Sequence, residues 1–315
     1  MADSTAVRLP RPPRLMPALG KGIMTGIGKR PRADALLPGT RLVIPEARID
    51  LGRLCAYARV CGFSQTRPLP LTYPHVLAFP LTARLMADRA FPLPLLGLVH
   101  TSAEIRQWAP LSTEDVLELG VHAEGLRAHR RGTTATIVTE ARRDGELVWQ
   151  GRCTYLTRRG HPARPERDHR TARAAELLPA RATWTLPADL GRRHAAATGD
   201  YHPIHLYAWT AKPLGFPRAI AHGIWSFARC VAESGASLAE QVFVRAEFTS
   251  PVLLPSTVTY AAAGQAFQLR GGPDGRRIHL AGQVVRGATE ADGSGNRSGR
   301  AATDTGPVAA RPGNR

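Results

Sequence analysis

The clearest hydrophobic pattern along the chain lies at Ile224, Phe227, Ala228 and Val231, spaced i, i+3, i+4 and i+7. That spacing places one apolar face on a helix beginning at Ala221-His222-Gly223 and running to about Glu233. Upstream, Arg41–Ile49 reads as a strand, Leu51–Val60 as a helix stopped by Gly62, and Pro74 to about Ala87 as a second helical stretch. Four segments rich in β-formers follow, Val99–Trp108, Asp115–Glu124, Thr133–Arg142 and Leu147–Thr157, separated by turn signals such as Asp144-Gly145. After an Arg/Pro/Ala-rich passage the order returns. Thr183–Leu186 reads as a strand, Ala188–Ala197 as a helix stopped by Gly199, and then comes the long helix. Val242–Phe248, Thr257–Gly264 and Ile278–Val285 read as strands.

The recurrence is a faint internal repeat. Ile49–Gly62 can be laid over Leu186–Gly199, each an amphipathic helix ended by glycine. EIRQWAPL (104–111) and RAEFTSPVLL (245–254) are each a strand leading into a proline. Two units in which an antiparallel sheet wraps one long helix are predicted, an α+β double hot-dog; two unrelated strand-rich halves are the rival. The division expected is a poorly ordered lead-in over 1–40, a first half over 41–158, a linker over 159–180, a second half over 181–287 and a disordered tail over 288–315.

Charge changes this picture little. The formal net charge is +17, but lysine occurs only at 21, 29 and 212. The excess is therefore arginine, in a chain also rich in Ala, Gly and Pro, as a GC-rich coding sequence produces. No basic stripe is interleaved with aromatics, which argues against a nucleic-acid partner. Basic loops can instead attract an anionic ligand such as a phosphorylated carrier. Gly22–Lys29 is not a phosphate loop, because Arg30 stands where Ser or Thr is required. Cys55, Cys61, Cys153 and Cys230 contain no C-x-x-C pair and read as reduced thiols. No apolar run reaches membrane-spanning length, so a cytoplasmic protein with no membrane partner is expected.

The candidate chemistry gathers in Thr198–Glu233. An acid, Asp200, an imidazole, His205, and a helix-start glycine, Gly223, are the parts needed to move a proton beside a carbonyl. Each also has a structural reading: Asp200 as a turn cap, His205 as a satisfied core histidine, Gly223 as a packing residue. TGDYHPIH (198–205) resembles the signature Gly-Asp-x-Asn-Pro-aliphatic-His of MaoC-like hot-dog hydratases and dehydratases. GFPRAIAHG (215–223) matches the family's spacing from histidine to helix-start glycine. LPLTYPHVLAFPL (69–81), GLVHTSAEIRQWAPL (97–111), EGLRAHRRG (124–132) and FTSPVLLPSTV (248–258) resemble mycobacterial-type 3-hydroxyacyl-thioester dehydratases.

The resemblance implies reversible hydration of trans-2-enoyl thioesters carried on coenzyme A or acyl carrier protein. Asp200 and His205 would form the acid/base pair around one water, and Gly223 N–H would hold the enolate oxygen. Tyr201, His202, His222 and Trp225 are expected at the substrate, with His222 more suited to bonding backbone and Trp225 to core or pocket lining. No cofactor or metal is implied, although Asp200, His202, His205 and His222 form a ligand-rich group. The chain departs from the family at His202, which replaces asparagine. Rival functions are a thioesterase on the same fold and a silent acyl-thioester-binding subunit. A second copy of the chain, as a homodimer, is the remaining candidate partner. The first half has no acid/base pair in CGFSQTRPLPLTYPH (61–75), so it is expected to widen the pocket. Its prolines Pro68, Pro70 and Pro74 would interrupt the interior helix and let an acyl chain run under Val76–Met86.

Overall fold

Each half of the chain lays down a strand, a short helix, a longer helix and an antiparallel meander. The computed structural model describes residues 5–26, 29, 34–158 and 176–287. In the first half these elements are β2 (Thr40–Ala47), α2 (Leu51–Cys61), α3 (Tyr73–Met86), β3 (Val99–Gln107), β4 (Leu117–His129), β5 (Gly132–Arg143) and β6 (Glu146–Arg158). In the second they are β7 (Ala180–Leu186), α4 (Leu190–Thr198), α6 (Gly223–Ser234), β8 (Val242–Phe248), β9 (Ser256–Ala263), β10 (Ala266–Gly271) and β11 (Arg277–Arg286). A four-residue helix, α5 (Ala208–Ala211), sits between α4 and α6.

The strands form one 11-stranded sheet in the order β1-β2-β4-β5-β6-β3-β8-β11-β10-β9-β7, where β1 is Thr5–Arg8. Apart from β1 the order is a palindrome: β2, β4, β5, β6 and β3 on one side mirror β7, β9, β10, β11 and β8 on the other. The halves join where β3 pairs with β8, with Ala103 opposite Ala246 and Ile105 opposite Val244. The repeat read from the sequence is thus a tertiary pseudo-twofold, and the sheet wraps its two long helices as a double hot-dog. β10 escaped the sequence reading because its run, AFQLRG, contains no β-branched residue.

Helix α6 buries the expected face, Ile224, Phe227, Ala228 and Val231. Glycines end α2 and α4, with Gly62 and Gly199 in the left-handed conformation at φ 74° and 84°. One core runs through both halves, from Ile44 and Trp149 to Phe227 and Phe267. Among the described residues, no helix is long and apolar enough to cross a membrane, and the four cysteines are free.

Two expectations are corrected. The segment read as a poorly ordered lead-in carries β1, paired in parallel with β2, and α1 (Leu15–Gly26), which packs on α3. Close approach through Gly22, where an added Cβ would lie 3.2 Å from Ala87 Cβ, seats α1 there. The periodicity of α1 is hidden by glycines and prolines. Nor does the first half release its interior helix. Pro74 lies in the first turn of α3, where a missing N–H breaks no intrahelical bond, and α3 continues through Pro80. Ala78, Leu81 and Leu85 fill the interior at no more than 2% exposure, so the expected opening beneath Val76–Met86 is closed by packed side chains. Most of the segment read as a linker, residues 159–175, and the tail over 288–315 lie outside the described residues.

Candidate active site

The segment that carries the candidate acid and imidazole begins at the C-terminal end of α4. Gly191 lets α4 approach closely, since a Cβ there would sit 1.9 Å from the His205 carbonyl oxygen. Thr198 Oγ1 donates to His194 O (2.9 Å) and accepts from Asp200 N (3.2 Å), so the chain turns sharply after the helix. From the first half, Arg53 donates through Nε to Ala197 O (2.9 Å) and through its terminal nitrogen to Thr198 O. A guanidinium on these last carbonyls satisfies acceptors that the helix leaves open and complements its dipole.

Asp200 Oδ1 accepts from His202 N (3.2 Å), the turn-capping bond of an Asx turn. Proline at 203 then starts a 3-10 turn, Pro203–His205, capped by the His202 ring. One such turn carries the chain from Asp200 to His205. The ligating atoms of Asp200, His205 and His222 all lie within 4.8 Å of one another.

His205 is 8% exposed, and its Nδ1 donates to Ile220 O at 2.8 Å. That bond sets the tautomer and leaves Nε2 as the lone pair. Burial, and next the neighbouring His222, hold His205 well below the usual imidazole range. It is therefore neutral and able to accept a proton at physiological pH. His222 donates from Nε2 to the Asp200 carbonyl (3.0 Å), and its ring stacks on His205 with centroids 3.6 Å apart. Burial lowers His222 to about 3.

Gly223 opens α6, where the first N–H groups have no intrahelical partner. A Cβ there would lie 3.3 Å from His100 Cβ and 3.4 Å from Phe248 Cε1, so glycine relieves a tight fit at this helix end. His205, Gly223, His100 and Phe248 line one cavity of about 120 Å³. Its apolar wall comes from both halves: Leu98, Val99 and Leu156 from the first, Phe216, Ile220 and Val252 from the second. Arg131 and His279 also line it.

Asp200, His205, His222 and Gly223 are thus brought together, with His205 and Gly223 in the cavity lining and the ligating atoms of Asp200 and His222 within 4.8 Å of that of His205. Trp225, Tyr201 and His202 stand apart from that group. Trp225 is 3% exposed and donates from Nε1 to Val60 O (2.8 Å), joining α6 to α2 in the core. Tyr201 is 41% exposed and stands outside the cavity lining. His202 caps its turn and also does not line the cavity.

Sequence reasoning missed three histidines. His194 is fully buried on α4 and lies 4.4 Å from the His222 ring. Its spacing with Leu190 and Ala197, i+4 and i+7, marks an inward face that could have revealed it. His75 and His100 come from the first half, and burial lowers them to about 4 and about 3. A β-bulge between His100 and Ser102 reverses the alternation of β3 and turns His100 inward beside its partner Tyr155. A bulge leaves no mark in the sequence pattern.

Comparison with known proteins agrees with this geometry. Residues 168–271 match the family described as MaoC like domain. The chain is 34% identical over 235 residues to 3-hydroxyacyl-thioester dehydratase X of Mycobacterium tuberculosis, covering 74% of this chain and 84% of that protein. The crystal structure of HtdX from the same organism superposes with a TM-score of 0.68 at 32% identity, over 78% of this chain and 98% of its own. A MaoC-like dehydratase from Phytophthora capsici shares the fold at 16% identity and a TM-score of 0.59, over 78% of this chain and 95% of its own. With a relative of that identity aligned along most of its length, and the motif folded around one cavity, the chain belongs to the MaoC-like dehydratase family.

Proposed function

We propose that this protein catalyses the reversible hydration of trans-2-enoyl thioesters to (R)-3-hydroxyacyl thioesters, carried on coenzyme A or acyl carrier protein. The observation that carries the reading is the convergence of His205 and the Gly223 helix end on one cavity, with Asp200 within 4.8 Å of His205. A water held between the carboxylate and His205 Nε2 gives its proton to the imidazole as its oxygen bonds to C3. The C2=C3 electrons move towards the thioester, and charge develops on its carbonyl oxygen. Gly223 N–H at the positive end of α6 stabilises that charge. The imidazolium then returns the proton to C2 on the same face, and Asp200 stabilises the cation while it exists. Dehydration runs the same steps backwards, and no atom or electron is left over.

The cavity's apolar lining fits an acyl chain, and Arg131 fits the negative charge of a phosphorylated carrier. Each buried methylene adds about 0.8 kcal/mol. Specificity therefore climbs from crotonyl-CoA towards medium chains until the cavity between Leu98 and Val252 is filled.

The test is a panel of trans-2-enoyl-CoA substrates, followed by loss of conjugated-thioester absorbance and by chiral analysis of the product. Hydration to the (R) alcohol is expected. Free thiol release with the double bond intact would make the protein a thioesterase. Tight binding without turnover would make it a silent subunit, with His202 in place of asparagine as the suspect.

A further inference from the structure

We propose that His75, His100 and Cys153 form a binding site for a borderline divalent metal ion, Zn²⁺ by its ligand set, in the wall of the cavity contributed by the first half. This assignment does not depend on the reaction proposed above, because binding is read without turnover.

The three ligands come from separate elements that the fold brings together. His75 stands in the first turn of α3, His100 at the bulge of β3 and Cys153 on β6. Cys153 and Tyr155 are two residues apart on β6 and share a face. The bulge places His100 opposite Tyr155, and therefore on that same inner face.

The ligating atoms all lie within 4.8 Å of one another, and His75 Nδ1 is 3.9 Å from Cys153 Sγ. Bonds of about 2.3 Å to sulfur and about 2.1 Å to nitrogen in a tetrahedron span about 3.6 Å. The pair needs only a few tenths of an ångström to close on an ion. Two imidazoles and a thiolate suit Zn²⁺ or Co²⁺ over Mg²⁺ or Ca²⁺, which take oxygen ligands.

A second observation points to a ligand here. His100 Nε2 is buried and has no hydrogen-bond partner. His100 also lines the cavity, which gives an ion a route to the triad. The thiol proton leaves to solvent as the metal–sulfur bond forms. Three protein ligands leave a fourth position open, as in exchangeable rather than closed structural sites.

The experiment is titration of the full-length, metal-free protein with Co²⁺, followed by near-ultraviolet sulfur-to-cobalt charge transfer and visible d–d absorption. One equivalent should give both, and Zn²⁺ should abolish both. Cys153→Ser should remove the charge-transfer band, and His100→Ala should weaken binding at least about tenfold. Cys55→Ser, which removes the exposed thiol, should change nothing. Circular dichroism checks each variant; if Cys153→Ser does not fold, the His100→Ala affinity decides. An absent charge-transfer band, or one that survives Cys153→Ser, overturns the assignment. So does a band lost with Cys55→Ser, or affinity unchanged in His100→Ala. Cobalt bound with d–d bands alone would sit on Asp200, His205 and His222 and would equally overturn it.

Discussion

The imidazole of His205 lies face to face with that of His222, their centroids 3.6 Å apart and their planes 23° from parallel. Each ring is pinned by one hydrogen bond to backbone, His205 to Ile220 O and His222 to Asp200 O. The His194 ring also meets His222, tilted by 47° with centroids 4.4 Å apart. Protonating one ring places a cation against its buried neighbour, so the contact favours neutral rings.

Stability should therefore depend on pH in one direction. Burial lowers His194, His205 and His222 in the folded state, so the unfolded chain binds protons more readily than the native one. The stabilisation is fully present above the unfolded-state value of about 6.5. It is lost as pH falls from there towards the depressed folded values. The melting temperature should hold above neutrality and drop steeply in mild acid, and His194→Phe should flatten the drop. An acid limb unchanged in that variant would show that His194 contributes nothing to it, leaving the loss to the other buried histidines and the carboxylates.

Asp200→Asn and His205→Gln should each lower turnover by about 10²–10⁴-fold, the scale of acid/base groups, with the fold retained by circular dichroism. Near-wild-type rates in either folded variant would remove the proposed mechanism.

Gly191→Ala tests positioning without touching the reacting groups. Alanine favours a helix, by about 0.5–1 kcal/mol over glycine. Here, however, its Cβ would overlap the His205 carbonyl at 1.9 Å. The helix and the 3-10 turn must part, which should cost about 1–3 kcal/mol of stability. A displacement of about 1 Å at His205 should also cost about 10²-fold in kcat. Unchanged stability and kcat would show that α4 yields without moving His205.

Arg53→Met should destabilise the protein by about 1–3 kcal/mol, because the carbonyls of Ala197 and Thr198 lose a charged donor. Turnover should fall although Arg53 lies outside the reacting groups. Denaturant melts paired with steady-state kinetics read both effects.

Turnover should persist after exhaustive chelation, since the proposed mechanism moves its proton between water, His205 and C2 with no metal step. Abolition by chelator and recovery with added metal, read by enoyl absorbance, would overturn that mechanism.

Much of this protein was legible in its sequence because the signals are local. The i, i+3, i+4, i+7 pattern from Ile224 to Val231 gave α6, and glycines 62 and 199 marked the ends of α2 and α4. The compact Gly199–His205 motif places an acid and an imidazole on one turn because Asx and 3-10 geometry involve only near neighbours. The repeat was visible too, as the overlay of Ile49–Gly62 on Leu186–Gly199, in which Tyr57 and the overlooked His194 hold equivalent places. In the fold those two rings meet across the pseudo-twofold, 6.2 Å apart.

What only the tertiary structure decided are contacts between residues far apart in the chain, which periodicity cannot encode. Trp225 bonds Val60 in the core, joining α6 to α2. α3 fills its half of the interior although prolines crowd its start, because a proline in the first turn breaks no helical bond. Arg53 grips the end of α4 from the other half, and a bulge invisible to any pattern turns His100 towards His75, Cys153 and the cavity. Sequence determines what each segment can form by itself; which buried polar groups meet is decided when two sheets merge at β3 and β8 and close on their helices.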